Sequence, residues 1–275
     1  MKKSNVILFT LAALAAAKGL DNRLEISHYR IKSDELPSQF DGFRIVHISD
    51  FHCDKTAGLI DAIRNEKPDV ICATGDMAHD IGSYEPFINL LIAMIDIAPV
   101  YIVSGNHDVW RSDYKEMVKR CRDLGAIYLE DERIFINKAD DKIAITGISD
   151  PFSSVGVTIN ENIDKSLEKL TKYDGYEIVL FHRANFLDKF KNRGYNLVLS
   201  GHMHGGQFRI PKVGGVVSPK TNFNDKTKIF FPKYFGGEYG DENTKMIVSR
   251  GIGNPTFLPR VFNRPEICSI ILNKE

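Results

Sequence analysis

Two histidines stand two residues apart, between glycines and directly after an apolar run, in the segment "LVLSGHMHGGQF". A buried strand has no use for such a pair, but a metal ion does, because neutral imidazole is a common metal ligand. Comparable polar clusters occur at four other places, and together they hold five of the eight histidines. The candidate residues are Asp50, His52, Asp76, Asn106, His107, Asp108, His182, His202 and His204. We therefore expect separate loops to build one metal centre.

The mixture of side chains in these clusters narrows the chemistry. Imidazole together with carboxylate suits Mn, Fe or Zn, whereas an all-oxygen set would suit Mg or Ca. The donors suffice for two divalent ions, and one shared carboxylate would hold the ions ~3.5–4 Å apart, the separation used in phosphoryl transfer. The residue types therefore predict two divalent metal ions and hydrolysis at phosphorus.

Each cluster follows a strand-like run, and helix-like stretches lie between these runs. The strands are predicted at residues 43–49, 69–74, 99–104, 176–181 and 196–200. The helices are predicted at residues 57–66, 85–97, 113–124, 160–171 and 183–191. Such alternation indicates an α/β sheet, in which ligands bind at the carboxyl ends of the strands. Gly75, Gly105 and Gly201 each precede a candidate ligand, where we expect a sharp turn to need a permissive backbone.

Taken in order, the motifs Asp-x-His, Gly-Asp, Gly-Asn-His, a lone His and Gly-His-x-His resemble those of the calcineurin-like metallophosphoesterases over residues 43–207. The stretches "FDGFRIVHISDFH", "GHMHGGQFRIP" and "SRGIGNPTFLPRVFNRPEI" resemble a bacterial membrane-associated subgroup. That subgroup includes cell-envelope phosphodiesterases and UDP-2,3-diacylglucosamine pyrophosphatases. The resemblance implies a four-layer αββα sandwich, with two mixed sheets flanked by helices, formed by a catalytic domain at residues 21–275.

The resemblance also implies a role for each candidate residue. It gives three ligands to each ion: Asp50, His52 and His204 to one, and Asn106, His182 and His202 to the other. Asp76 would bridge the ions, and a hydroxide would attack phosphorus in line. His107 would act as general acid or charge stabiliser at the leaving group, oriented by Asp108, although Asp108 is also suited to capping a helix. Many relatives carry an acid three residues after the bridging aspartate; here His79 occupies that place and Asp80 follows, so we expect altered geometry around the ligands.

The first twenty residues differ in character from the rest. Lys2 and Lys3 precede residues 6–17, in which only Thr10 is polar. This run is shorter than the ~20 residues of a spanning helix and fits a signal peptide or an uncleaved shallow anchor. We expect residues 1–20 to target or anchor the chain at a membrane. The lysines favour a catalytic domain outside the cytoplasm, whereas four scattered cysteines, interpreted as free thiols, favour a reducing compartment, so both sides stay open.

The charge composition is informative mainly about possible binding partners. With 36 basic and 36 acidic residues and no basic run, the chain lacks the field that general nucleic-acid binding requires. We expect a phosphodiester or diphosphate substrate, lipid-linked or nucleotide-linked. A phosphomonoesterase and a non-catalytic metal-binding scaffold are the alternatives. The aromatic segment 229–237 is suited either to packing or to a lipid-facing wall, and Arg209 and Arg250 either to phosphate binding or to surface ion pairs.

Overall fold

Strands that end at the candidate ligands dominate the fold. The computed structural model describes residues 17–55, 57–151, 158–219 and 230–275. Within them the chain forms fourteen strands: β1 Glu25–Ser33, β2 Arg44–Ile48, β3 Val70–Thr74, β4 Val100–Val103, β5 Ile127–Tyr128, β6 Glu132–Lys138, β7 Asp141–Ile148, β8 Glu177–Arg183, β9 Leu197–Gly201, β10 Arg209–Ile210, β11 Gly214–Gly215, β12 Gly237–Gly240, β13 Lys245–Val248 and β14 Glu266–Lys274.

Helices of the described residues connect the strands. The α-helices are α1 Leu59–Asn65, α2 Glu85–Ile95, α3 Asn106–Val109, α4 Tyr114–Asp123 and α5 Ile159–Lys169. Short 3-10 turns span Ser38–Phe40, Ala184–Lys189 and His204–Gly206. Local sequence explains two helix starts. Pro86 lies in the first turn of α2, where its missing N–H costs nothing, and Thr158 and Glu161 exchange hydrogen bonds in a capping box that begins α5.

The strands form two mixed six-stranded sheets and a separate two-stranded hairpin, β10–β11. The first sheet has the order β1-β14-β2-β3-β4-β5, with β2 to β5 parallel and β14 antiparallel to β2. The second has the order β12-β13-β9-β8-β7-β6, with β13, β9, β8 and β7 parallel. The carboxyl ends of β2, β3, β4 and β9 lead into candidate ligands, as predicted, whereas His182 lies within β8, next to its last residue.

Side-chain alternation along the strands creates the layers. In β2, Val46 and Ile48 pack with the helices α1 and α2, whereas Ile45 packs in the cluster between the sheets. That central cluster draws buried residues from both sheets, and a third cluster joins the outer face of the second sheet to α5. Burial on both faces explains why the strand sequences are apolar throughout. The fold is thus the predicted four-layer αββα sandwich.

Two of the differences between the predicted and observed elements have a local explanation. Residues 183–191 were expected to form a helix, but β8 runs through Arg183, which pairs with Gly201 of β9 after a shift of register, and only a 3-10 turn follows. The first helix begins at Leu59 because Gly58 before it adopts a left-handed conformation, with φ of 74°.

The cysteines and the amino terminus bear on the expected location of the chain. All four cysteines are free thiols and Cys72 is buried in β3, as predicted. Within the described part of the chain, no helix combines the length and apolar character needed to cross a bilayer. The apolar run predicted to reach a membrane lies, apart from Ala17, outside the described residues.

The close approach of the two sheets at Gly147 can be tested. A Cβ at this position would lie 2.2 Å from Leu129 Cβ and 2.8 Å from Val103 Cγ1, across the interface between the sheets. We predict that Gly147→Ala lowers the free energy of unfolding by about 1–3 kcal/mol, since overpacking forces the sheets apart. Urea denaturation followed by circular dichroism measures this. Asn137→Ala, at an exposed position on β6, is the control, and equal stability of the two variants would contradict the packing described.

Candidate metal centre

The loops that follow β2 and β3 are joined by backbone hydrogen bonds. The N–H of Asp50 donates to Gly75 O at 3.0 Å, and the N–H of His52 donates to Asp76 O at 3.0 Å. Pairing between the parallel strands thus continues into the loops. It fixes two carboxylates and one imidazole, all buried, at the same edge of the first sheet.

Five of the seven predicted ligands have a left-handed backbone. The φ angles are positive at Asp50 (52°), His52 (49°), Asp76 (52°), His202 (71°) and His204 (46°). Residues other than glycine rarely adopt this conformation, which costs on the order of 1–3 kcal/mol each and persists where the surrounding structure enforces it. Such concentrated strain is typical of a functional site.

The candidate ligands form two compact groups. The first consists of Asp50, His52 and His204, and the second of Asp76, His182 and His202. Within each group, one ligand atom from every residue lies within 4.8 Å of the others. Asp76 links the two groups, because its Oδ2 is 3.2 Å from His182 Nε2 in its own group and 3.8 Å from His52 Nε2 in the other. Asp76 is therefore placed where a shared ligand would have to lie.

Hydrogen bonds around the centre orient the ligand atoms. His182 Nδ1 lies 2.7 Å from Thr74 O, so it carries the proton and directs Nε2 towards Asp76. Asp76 Oδ1 accepts a 2.8 Å bond from the backbone N–H of His107, which leaves Oδ2 facing the two groups. The carboxylate of Asp50 accepts from the backbone N–H of His202 and so ties the second sheet to the first.

Unpartnered polar atoms test whether divalent ions fit here. Among the described residues, buried side-chain atoms without a hydrogen-bond partner include His52 Nε2, His202 Nε2, His204 Nδ1 and Asn106 Oδ1. An unsatisfied buried polar atom costs about 1–3 kcal/mol. All four atoms belong to predicted ligands, and the three histidines lie in the groups that contain Asp50 and Asp76, so together they constitute a donor set that divalent ions would satisfy. The residues present therefore fit the metal chemistry that their types predict.

Burial sets the protonation of most of these groups. It lowers the pKa of His52 and of His204 to about 3 and that of His202 well below its usual range, so each imidazole is neutral, the form that ligates metal. Asp76 and His182 behave as a pair. Burial opposes ionisation of both, but the charge and hydrogen bond of His182 hold the pKa of Asp76 well below its usual range, and Asp76 raises the pKa of His182 to about 10.

The contacts of His107 and Asp108 require a correction. Asp108 was expected to orient His107, but its two oxygens accept from the backbone N–H groups of Ala78 and Gly105, each at 2.9 Å. Asp108 thus clamps the loop after β3 to the start of α3. The orienting contact comes from Asp80, whose Oδ1 lies 3.1 Å from His107 Nδ1. Asp80 Oδ1 also lies 2.5 Å from His79 Nδ1. Asp80 is one position further along the chain than the acid of many relatives, and it still contacts the imidazole of His107.

Two of the glycines serve a purpose other than the predicted one. Gly75 has the expected left-handed backbone, with φ of 84°. Gly105 is extended, and a Cβ there would lie 2.2 Å from Asp76 Oδ1. At Gly201 a Cβ would lie 1.9 Å from Ser49 Oγ and 2.4 Å from Asp50 Oδ2. At these two positions glycine is required because a candidate ligand occupies the space of a side chain.

Sequence reasoning missed two residues that hold the ligand loops. Asn263 Nδ2 donates a hydrogen bond to His204 O at 2.7 Å. The buried Arg260 donates to the carbonyl oxygen of Gly253, and the backbone N–H of Gly253 in turn donates to Asp50 O. Both lie far from the ligands in sequence, within the stretch "SRGIGNPTFLPRVFNRPEI", whose resemblance to the bacterial subgroup points to this segment but assigns neither residue a contact. Arg250, a candidate for phosphate binding, forms ion pairs with Glu266 and Glu25, both at 2.9 Å.

A two-sheet αββα sandwich with a His, Asp and Asn centre at the carboxyl ends of its strands is the architecture of a metal-dependent hydrolase. The family profile described as "Calcineurin-like phosphoesterase" matches residues 43–206, which contain all the candidate ligands. The chain therefore belongs to the calcineurin-like phosphoesterase family and is a metal-dependent phosphoesterase.

Individual relatives agree with this assignment. Metallophosphoesterase YkoQ of Bacillus subtilis is 28% identical over 245 residues, covering 86% of this chain and 85% of the relative. Phosphodiesterase YaeI of Escherichia coli is 25% identical, with 84% and 82% covered. A transmembrane protein with a metallophosphoesterase domain from Danio rerio is 24% identical, with 99% and 63% covered. The solved phosphopantetheinyl hydrolase of Mycobacterium tuberculosis shares the fold, with a TM-score of 0.52, 12% identity and coverage of 78% and 91%.

The different contacts of Asp80 and Asp108 lead to a paired prediction. Asp80→Asn should lower kcat about 10–10²-fold, because the amide replaces the carboxylate oxygen that faces His107 Nδ1 and orients the ring, while stability stays within about 0.5 kcal/mol. Asp108→Asn should lower the free energy of unfolding by about 1–3 kcal/mol, because the amide presents only one acceptor to two N–H donors. Turnover of a chromogenic phosphoester and urea denaturation distinguish them. A stability loss confined to Asp80→Asn would reverse the assignment.

Proposed function

We propose that the chain is a dinuclear-metal phosphohydrolase that cleaves a phosphodiester or diphosphate bond. The observation that supports this most directly is the position of Asp76, which belongs to one compact group of ligands and faces His52 of the other. Asp50, His52 and His204 would hold one ion, and Asn106, His182 and His202 the other. Bound divalent ions supply positive charge to the phosphoryl oxygens and lower the pKa of water.

The remaining groups have roles in handling the proton and the leaving group. His107 lies beside the centre, with its ring 4.9 Å from that of His52. Asp80 faces Nδ1 of His107 and so leaves Nε2 to donate a proton to the departing oxygen. The Trp110 ring, half exposed, packs edge-on against His107 at 5.0 Å and would contact an apolar part of the substrate.

Charge around the centre supports a diester rather than a monoester. Three buried arginines flank it, and each has its guanidinium engaged by protein groups: Arg183 by the Asp150 carboxylate, Arg111 by Asp113 and Arg260 by Gly253 O. A phosphomonoester carries a second negative charge. These arginines already bond to protein groups and therefore do not compensate that charge. The similarity to a protein named phosphodiesterase points in the same direction.

Membrane association extends this proposal. The apolar run at residues 6–17 and the similarity to proteins named as transmembrane support a chain held at a membrane. A lipid-linked or nucleotide-linked phosphoester of the membrane or cell envelope is then the substrate class that the enzyme would meet.

The ligand assignment predicts a loss of both metal and activity. Purified chain supplied with Mn²⁺ should hydrolyse bis(p-nitrophenyl) phosphate, and Asn106→Ala or His202→Ala should each reduce kcat by roughly 10³-fold or more, since an ion contributes several kcal/mol of transition-state stabilisation. Elemental analysis should show less metal bound to each variant. His28→Ala, at an exposed histidine paired with Glu66, is the matched control. Full activity in both ligand variants would refute the assignment, and a wild-type chain that binds metal without turnover would support a scaffold.

The preference for a diester has a separate test. We expect kcat/KM for bis(p-nitrophenyl) phosphate to exceed that for p-nitrophenyl phosphate by about tenfold or more. The second negative charge of the monoester is uncompensated at a poorly hydrated site, which should raise its activation free energy by about 1.4 kcal/mol or more. Steady-state kinetics on the same Mn²⁺-loaded preparation measure the ratio. Equal or faster turnover of the monoester would favour a phosphomonoesterase.

A further inference from the structure

More than half of the exposed large apolar side chains of the described residues lie on neighbouring segments of the surface. Eleven such residues are exposed within the described ranges, and six of them lie on three segments next to the metal centre. We call these six the apolar rim: Ile210, Val213, Phe230, Phe231, Phe257 and Leu258. Phe257 is 96% exposed, and Val213 and Phe230 are each 65% exposed. Exposed apolar side chains grouped on neighbouring segments are typical of an interaction site.

Hydrogen bonds join the three segments into one surface. Phe231 N–H donates to Val216 O, and Gln207 Nε2 donates to Leu258 O at 2.7 Å. The Arg209 N–H donates to Val261 O, so the hairpin lies between the other two segments. The residues of the rim therefore belong to a connected framework that begins at the His204 loop, and a partner bound to them would lie beside the metal centre.

The charge of these segments differs from that of the chain as a whole. Residues 207–218, 230–235 and 254–264 contain five arginines and lysines and no aspartate or glutamate, although the whole chain has equal numbers of basic and acidic residues. One of the five, Arg260, is buried and adds no charge to the surface. Lys212 is exposed at the tip of the hairpin, between Ile210 and Val213, whereas Lys233 contacts Asp188. Apolar side chains next to cationic ones match the interface of an anionic bilayer.

The amino-terminal apolar run joins the chain at the same surface. Phe262 N–H donates to Gly19 O at 2.6 Å, and the Phe262 ring packs against Gly19. Residue 17, which ends the run, is two residues away. A run that enters the bilayer would therefore emerge beside the apolar rim, and the short connection would hold the rim close to the lipid.

We propose that the apolar rim is a lipid-docking surface that seats the metal centre against an anionic bilayer. The inference rests on the proposed membrane association, and it adds which face meets the lipid. Phe257 and the hairpin tip would enter the headgroup region, with Lys212 near the lipid phosphates. A substrate phosphate could then reach the centre while its lipid remains in the membrane.

Site-specific labelling of the full-length chain tests this proposal. Phe257→Cys and Val213→Cys are labelled with the fluorophore NBD and mixed with vesicles of phosphatidylcholine and phosphatidylglycerol in equal parts. We expect emission to move to shorter wavelength and rise severalfold at both positions, and less with phosphatidylcholine alone. Phe135→Cys, at an exposed phenylalanine on β6 in the second sheet, is the control and should not shift. Wild-type chain measures labelling of the native thiols.

The possible outcomes separate the docking surface from the other proposals. If the chain co-sediments with vesicles but NBD emission does not shift at Phe257 or Val213, the chain is tethered by its amino terminus only. That result would overturn the docking surface and would not affect the proposed membrane association. A shift without vesicles that grows with protein concentration would assign the rim to a second copy of the chain and would also overturn it. Hydrolysis of bis(p-nitrophenyl) phosphate by the labelled variants shows that the metal centre is intact, independently of the lipid result.

Discussion

The geometry of the centre depends on the Asp76 carboxylate, which is buried where β3 ends. One of its oxygens accepts the His107 N–H, and the other faces His182 and His52, which belong to different ligand groups. A buried carboxylate is poorly hydrated, so its negative charge is unfavourable unless positively charged groups lie close to it. The need to bring compensating groups to one point explains why loops from both sheets converge there.

The centre is locally unfavourable, and the sandwich around it has to stabilise it. Left-handed backbone at five ligands and buried atoms without partners both raise the free energy of the folded state. Three apolar clusters and the hydrogen bonds between adjacent loops hold the arrangement. Metal that binds only the folded chain would return part of this cost. Local rules of sequence and conformation therefore fail here for a functional reason, as is common at active sites.

Much of the fold and most of the site could be predicted because their signals are local. Apolar strand runs followed by histidine or aspartate indicate both the sheet and its functional edge. The contacts that sequence reasoning misassigned are the ones set by register between strands. Whether Asp80 or Asp108 faces His107 depends on how the loops after β3 and β4 abut. Gly105 and Gly201 are required because side chains that follow another strand occupy the space of a Cβ at these positions. Asn263 bonds the His204 loop from 59 residues further along the chain.

The same framework links the metal centre to the exposed surface. His204 begins a segment that continues through Gln207 into the hairpin bearing Ile210, and Asn263 bonds the carbonyls of both His204 and Gln207. A hairpin fixed to a ligand loop in this way cannot shift far without moving His204. Contact of the hairpin with another surface would therefore set the height of the centre above that surface. Under the proposed docking, this coupling would hold the centre at a fixed distance from a phosphoester in the membrane.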